Sequence, residues 1–307
     1  MGVLPLPINA ADAPDLTFRA ERAAVASALH GFCDTYLPDA PGAIGAAIRY
    51  SLLGEGKRLR AVLVSAAYAA ADGEGDVSRL AAAVEVVHAY SLVHDDLPCM
   101  DDDDMRRGRP TTHIVYGVSV ATAAGLAMVP LAARTAAAAA QALGLGRARV
   151  GAIVRELMGA AGGAGMIGGQ LLDLEGEGRP LALADLERIH RLKTGALITA
   201  SVRLGGLAAG ATDDQMVAFT RYGDAIGLAF QIADDVLDVT ATTDQLGKTA
   251  GRDIALAKST YPALLGIDGA VFRAEALVLE GCGALQAAGL LTPQLEHLAR
   301  YFVTRQS

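Results

Sequence analysis

The chain has 307 residues, 52 % of them hydrophobic and 5 % aromatic with no tryptophan, and it carries 34 acids against 26 bases for a formal charge of −8. That length is enough for one large core, and the acidic balance argues against nucleic acid as a partner. An anionic ligand would have to be held by local lysine, arginine or metal rather than by the overall field. Cys33, Cys99 and Cys282 form no CxxC pair, which fits a reducing cytoplasm without structural disulfides.

In chain order, residues 1–14 read as a loose N-terminal arm with Pro5, Pro7 and Pro14, and lack the basic region and apolar core of a signal peptide. Residues 16–36 are amphipathic and helical, ending before Pro38, and 43–53 form a second helical run. GEGKRLR follows at 54–60: glycines for a turn, then Lys57, Arg58 and Arg60 opening a helix over 62–71. Cations at a helix start oppose its dipole. A bound anion would account for them, since the free N–H groups of that terminus also attract one; solvated charge is the plainer reading. Residues 78–93 are helical and mainly apolar, interrupted by Glu85 and His88. Residues 118–143 are a long Ala-rich helix with Pro130 as a kink. Its uncharged stretch, 117–133, is short for a membrane span, rich in Ala and Gly and closed by Arg134, and so reads as a buried core helix.

Residues 147–159 are helical. The glycine-rich stretch 160–178 reads as close helix packing with Gln170 and Asp173 turned toward a cavity; no strand precedes it and no Gly-Lys-Ser/Thr closes it, which speaks against a phosphate loop. Residues 184–209 are helical and carry Lys193, Thr194 and Gly195; a lysine in such apolar surroundings is costly unless paired. Residues 213–240 are a helix, 247–262 a loop with Lys248, Arg252 and Lys258, and closing helices lie within 263–288 and 294–304. No strand longer than a few residues, no repeat and no linker is evident. The expected fold is all-α: one domain, 1–307, built as a bundle of about ten or more helices around a central cavity.

Two acidic motifs carry the chemistry. The first holds Asp95, Asp96, Asp101, Asp102, Asp103 and Asp104, with Arg106 and Arg107 directly after. Carboxylates packed at the end of an apolar helix are expensive unless cations neutralise them. Hard oxygen donors point to Mg²⁺ or Ca²⁺ rather than Zn²⁺, and Mg²⁺ brings phosphate oxygens that arginines clamp well. Pro98 lies between Asp95 and Asp101, so a helix end or bulge would turn both toward one metal site. Asp103 and Asp104 read equally well as surface loop. The second motif is FQIADDVLDVT, 230–240, where Asp234 and Asp238 share a helix face beside Asp235. Its apolar flanks argue against a solvated acidic turn. A site charged at the mouth over a pocket of Ala, Leu, Val and Tyr90 suits a diphosphate ester with a hydrocarbon tail.

GEGKRLR, HAYSLVHDDLPCMDDDDMRRGRPTTH, GGQLLDLE, KTGALI, FQIADDVLDV and LGKTAGRD followed by KSTYP, in that order, resemble the trans-isoprenyl diphosphate synthase (polyprenyl synthetase) family along nearly the whole chain. The resemblance implies the isoprenoid synthase fold, usually a homodimer, and head-to-tail condensation of isopentenyl diphosphate with an allylic diphosphate (dimethylallyl or geranyl) through a Mg²⁺-assisted allylic carbocation. By position it implies that Asp95, Asp96 and Asp101, with Asp234 and Asp238, bind Mg²⁺, three ions in all, with Mn²⁺ as a substitute. Arg106, Lys193 and Lys248 would hold the allylic diphosphate, with Lys258 nearby. Lys57, Arg60, His88 and Arg107 would hold isopentenyl diphosphate. Thr194 and Gln231 would face the reacting carbons, and the released diphosphate would take the final proton. Asp95, Asp101, Asp234, Lys193, Thr194 and Gln231 are thus the expected catalytic set. A lone histidine on an apolar helix is more often a core residue than a ligand, and only the motif lifts His88 above that; Thr194 and Gln231 stand likewise.

In this family the residues just before the first motif help to set the pocket floor, and Tyr90 and Ser91 occupy that place. A bulky Tyr90 implies a stop at farnesyl diphosphate, with geranylgeranyl diphosphate the alternative. Leu126 stands where the family usually has Asp, and the small residues around it would favour a longer product. Three rivals are weaker. A class I terpene cyclase normally has an Asn/Ser/Glu-type second motif and does not need Lys57, Arg60 and His88. A non-catalytic partner subunit would be expected to lose an aspartate motif. In a metal-storage bundle the lysines and arginines would compete with the ions.

Overall fold

The computed structural model describes residues 18–37, 42–240 and 259–304. The expected arm, 1–14, and Lys248, Arg252 and Lys258 lie outside the described residues.

The architecture is all-α. In chain order the helices are α1 (Arg19–Tyr36), α2 (Ala43–Leu52), α3 (Leu59–Ala70), α4 (Ser78–Asp95), α5 (Thr112–Tyr116), α6 (Val118–Ala142), α7 (Arg147–Ala161), α8 (Met166–Gly176), α9 (Leu183–His190), α10 (Ala196–Ala209), α11 (Asp213–Thr240), α12 (Tyr261–Ala287) and α13 (Pro293–Thr304). A π-helical turn, Arg191–Gly195, joins α9 to α10. Between α4 and α5 a small antiparallel hairpin pairs β1 (Met105–Arg106) with β2 (Arg109–Pro110). It was too short to leave a sequence signature.

Burial runs around the whole of α4 and α10. On α10, Leu197, Ile198, Ala200, Ser201, Val202 and Leu204 are all inside, the sign of a helix surrounded by others rather than floating on a core. Two apolar clusters result. One gathers α1, α2, α4, α6 and α7 around Leu80, Val84, Val87, Met128 and Leu157. The other gathers α3, α10, α11, α12 and α13 around Val62, Phe219, Tyr222, Ile226, Leu277 and Phe302. The carboxyl ends of α4 and α11 bring the two acidic motifs to the cleft between these halves.

Charge placed inside the bundle is paired. Glu85 of α4 is 2 % exposed. Its carboxylate accepts from the Ala61 N–H (3.3 Å) in the first turn of α3 and pairs with Arg58 (3.3 Å). A negative charge at a helix N-terminus complements its dipole. Arg58 in turn donates to the Leu52 and Gly54 carbonyls at 2.7 and 2.6 Å. Of the three bases in GEGKRLR, Arg58 is therefore structural.

α6 is long and apolar enough to cross a membrane. Its Ala121, Ala124, Met128, Ala132 and Ala136 are nevertheless buried against neighbouring helices, as a core helix requires. The helix runs on through Pro130 for its full 25 residues. Leu126 is 62 % exposed, so the expectation that its neighbourhood enlarges the pocket does not extend to Leu126 itself.

Candidate active site

The mouth of the site is made by the way α4 ends. Asp95 is its last residue. The chain then turns through Pro98, with Met100 N–H donating to the Leu97 carbonyl at 2.9 Å. It doubles back until the Asp101 N–H donates to the Asp95 carbonyl at 2.8 Å and the Asp103 N–H to the Asp96 carbonyl at 3.2 Å. The six-residue separation of Asp95 and Asp101 thus closes into one compact turn. Burial, opposed by Lys193 and reinforced by the neighbouring Asp101 carboxylate, pushes the Asp95 carboxyl up to about 6. A half-buried acid so raised favours a counter-cation.

Asp96 also has a protein partner. It is 4 % exposed, and its Oδ1 accepts from Arg106 Nε at 2.6 Å. Arg106 also reaches Asp103 at 3.3 Å. Asp96 is thus the buried counter-ion that aims Arg106, and burial pushes it to about 6 despite that partner.

The opposite wall carries Lys193 and Thr194 on the π turn. Two glycines allow this wall to form. A Cβ on Gly169 of α8 would lie 2.1 Å from the Lys193 backbone nitrogen, and one on Gly227 of α11 would lie 2.9 Å from Gly195 Cα. A π turn at such a place re-aims side chains at a functional site. Here Lys193 Nζ donates to Asp173 Oδ2 at 2.6 Å, which offsets the charge of a lysine in an apolar helix. Thr194 Oγ1 donates to Gln231 Oε1 at 2.9 Å across to α11.

A second cationic cluster lines the same cleft. Arg60 and Arg107 approach the same atom, His88 Nε2, at 3.5 and 3.4 Å. Burial, followed by Arg60, Arg107, Arg106 and Arg58, holds the imidazole well below its usual range. It is therefore neutral, and a neutral ring nitrogen accepts from both guanidinium groups where a charged one would repel them. Arg107 also donates to the Glu55 carbonyl at 3.1 Å, and Gly56 leaves room for it, since a Cβ there would stand 2.7 Å from its NH1. Lys57 lies over the Tyr301 ring of α13, 5.6 Å from its centre.

One cleft is lined by Lys57, Arg60, His88, Arg106 and Arg107 on one side and by Thr194, Phe230, Gln231 and Asp234 on the other. Tyr90 and Ser91 lie further back on α4. Tyr90 is 7 % exposed and edge-on to His94 at 5.0 Å, and the Ser91 hydroxyl donates to the His88 carbonyl at 2.9 Å. Asp238 is buried at 5 % and Asp234 half-exposed on α11. Among the described residues no three His, Cys, Asp or Glu side chains gather as one metal cage. Mg²⁺ characteristically takes only one or two carboxylates and completes its shell with water and phosphate, so the donor set fits it.

The sequence assigned no role to four residues that shape this region: Glu85, Gly169, His190 and Asp235. A buried acid inside an apolar helix was a visible signal for Glu85. Nothing local distinguished His190, which follows an apolar residue in a charged helix.

Residues 42–280 match the polyprenyl synthetase family model, and the chain belongs to that family. It is 46 % identical over 263 residues to a farnesyl diphosphate synthase of Escherichia coli, covering 84 % of this chain and 88 % of that one. It is 43 % identical over 273 residues to a heterodimeric geranylgeranyl pyrophosphate synthase large subunit of Arabidopsis thaliana, covering 87 % and 73 %. A geranyltransferase structure from Helicobacter pylori, complexed with magnesium and isoprenyl diphosphate, superposes with a TM-score of 0.79 at 31 % identity, covering 96 % of this chain and 98 % of the other.

Proposed function

We propose that this chain is a short-chain trans-prenyltransferase that condenses isopentenyl diphosphate with dimethylallyl and geranyl diphosphates to give farnesyl diphosphate. The observation that carries the reading is the excess of cations at one site: Lys57, Arg60, Arg106 and Arg107 line one cleft around His88, and Lys193 and Arg106 both act on the Asp95 carboxyl. Two diphosphates need such an excess, whereas a cyclase holds only one. Family membership and the similarity to synthases of farnesyl and geranylgeranyl diphosphate support it.

In this reading Asp95, Asp96 and Asp101 on one wall, and Asp234 and Asp238 on the other, would hold Mg²⁺, three ions in all with Mn²⁺ as a substitute. The metal supplies positive charge that makes the allylic diphosphate a better leaving group. Arg106 and Lys193 hold that diphosphate, with Lys248 and Lys258, and Asp96 keeps Arg106 aimed. Lys57, Arg60, His88 and Arg107 hold isopentenyl diphosphate, so its double bond is presented to the allylic carbon. Thr194 and Gln231 turn oxygen toward the cation formed when the carbon–oxygen bond breaks, and the departing diphosphate takes the proton lost as the new double bond forms. Tyr90 and Ser91, behind the first motif, limit the tail to C15. The enzyme acts as a homodimer in the cytoplasm.

Purified protein with Mg²⁺ and isopentenyl diphosphate is offered dimethylallyl, geranyl and farnesyl diphosphates in turn, and the products are dephosphorylated and sized. C15 from the first two primers, with farnesyl diphosphate untouched, is the expected result. C20 from all three would replace the product by geranylgeranyl diphosphate. No elongation by a folded protein would overturn the reading in favour of a non-catalytic partner subunit.

A further inference from the structure

Asp235 lies between the two aspartates proposed for metal, yet its environment is made of protein. It is 4 % exposed. Donors from three elements converge on it: His190 Nε2 of α9 at 3.3 Å, the Tyr261 N–H that opens α12 at 3.0 Å, and Gln231 Nε2 of α11 at 3.3 Å. His190 stacks on the Tyr261 ring, 5.9 Å between centres and 17° between planes. The Tyr261 hydroxyl is anchored in turn on Glu187 Oε1 at 2.6 Å.

The direction of these bonds has a chemical consequence. An ionised carboxylate only accepts. Gln231 must therefore turn its NH₂ to Asp235, which leaves its carbonyl facing Thr194, 2.9 Å from Oγ1. The Thr194 hydroxyl must then be the donor, with its proton committed to Gln231. The oxygen lone pairs are left for the cleft that Thr194 and Gln231 line. The negative end of the O–H dipole is thus directed where positive charge would develop, and a dipole fixed in advance does not need to reorganise during reaction. Without a pure acceptor at 235 the amide can turn over. It would then donate to Thr194, and the hydroxyl proton would point into the cleft.

We propose that Asp235 and His190 are positioning residues: they fix the amide of Gln231 and thereby turn the lone pairs of Thr194 toward the developing allylic cation. His190 holds the carboxylate in place, and its stacking on Tyr261 keeps its ring from swinging away. The inference rests on the prenyltransferase reading above.

The test is a double-mutant cycle on kcat with geranyl and isopentenyl diphosphates. Asp235→Asn keeps the shape and removes the acceptor-only constraint. Its kcat should fall about tenfold to a hundredfold while KM for both substrates stays within about twofold. Thr194→Val should lose a similar factor, and Thr194→Val with Asp235→Asn should be no slower than Thr194→Val alone. His190→Gln, which retains a donor, should keep most of the wild-type kcat, and His190→Leu should not. Additive losses in the cycle, an unchanged kcat in Asp235→Asn, or equal activity of the two His190 variants would overturn the inference. If Asp235→Asn fails to fold, as seen by circular dichroism, His190→Leu takes its place in the cycle. Wild-type protein that elongates no primer would instead remove the reading on which the inference stands.

Discussion

At His88 two guanidinium groups meet one imidazole nitrogen, an arrangement that works only while the ring is neutral. His88→Gln keeps a neutral acceptor and should raise the KM for isopentenyl diphosphate only a few-fold; His88→Lys adds a third cation and should raise it more than about tenfold. Steady-state kinetics separates the two, and equal effects would contradict the bridging role. Asp95 and Asp96 lend themselves to titration. Both carboxyls are raised from 3.8 to about 6, so the fold favours their protonated forms. Their burial costs stability at neutral pH, the cost is relieved as pH falls through 6, and it is gone below the unfolded value near 4. Mg²⁺ neutralises the same charge without a proton. The Mg²⁺-induced rise in melting temperature should therefore be larger at about pH 7.5 than at about pH 5, and equal rises would count against metal at this motif. Tyr90→Ala should move the main product from C15 toward C20 if the ring limits the tail, as sizing of the products will show. At this scale the sequence was legible where residue types are chemically unusual, as with six aspartates in ten positions. It was opaque where a role depends on a partner far along the chain, as with His190 and Asp235.

At the scale of elements, the close approach of α8, the π turn and α11 rests on positions that admit no side chain. Gly169→Ala would place a Cβ 2.1 Å from the Lys193 nitrogen, and backbone there cannot step aside cheaply. We expect a loss of about 1–3 kcal/mol in stability and a fall in kcat, because Lys193 and Thr194 must move. Denaturant unfolding and turnover measured on the same sample would check both. Glu85→Ala strips the first turn of α3 of its acceptor and leaves Arg58 without its buried acid, for a loss of about 3–5 kcal/mol. Glu85→Gln should cost less, since the amide oxygen can still accept from the Ala61 N–H. Periodicity and punctuation marked most helices to within a few residues, because amphipathic patterns and Gly or Pro boundaries are local. The break within 184–209 was not legible: nothing in HRLKTGAL interrupts a helical pattern, and the π turn is imposed by what packs against it. Pro130 lies inside α6, which continues past it.

For the molecule as a whole, apolar surface remains on α5 and α6. Ile114, Val115, Val118 and Leu126 are 45–62 % exposed, and Val118 and Leu126 share a face of α6, eight residues apart. Such a surface fits the proposed homodimer. Sedimentation should give twice the 31.5 kDa chain mass, and Val118→Glu with Leu126→Glu should return it to the monomer. The all-α class was readable from composition and pattern alone. The division of the core into two halves was not, since it depends on which helices meet, and so did the cleft that opens between them.

Arg58, Asp102 and Arg107 share a feature: with Asp72 they are the non-glycine residues of positive φ among the described residues, and these three stand at the turns that frame the cleft. Each holds a conformation that costs an ordinary residue about 1 kcal/mol or more. Arg58 is held there by its buried pair with Glu85, but selection for thermal tolerance alone would put glycine at Asp102 and Arg107 and lose the Arg107 guanidinium with it. The Arg107→Gly protein should melt higher yet bind isopentenyl diphosphate poorly, so a lineage adapting to heat would have to gain its stability elsewhere in the bundle and leave these turns strained.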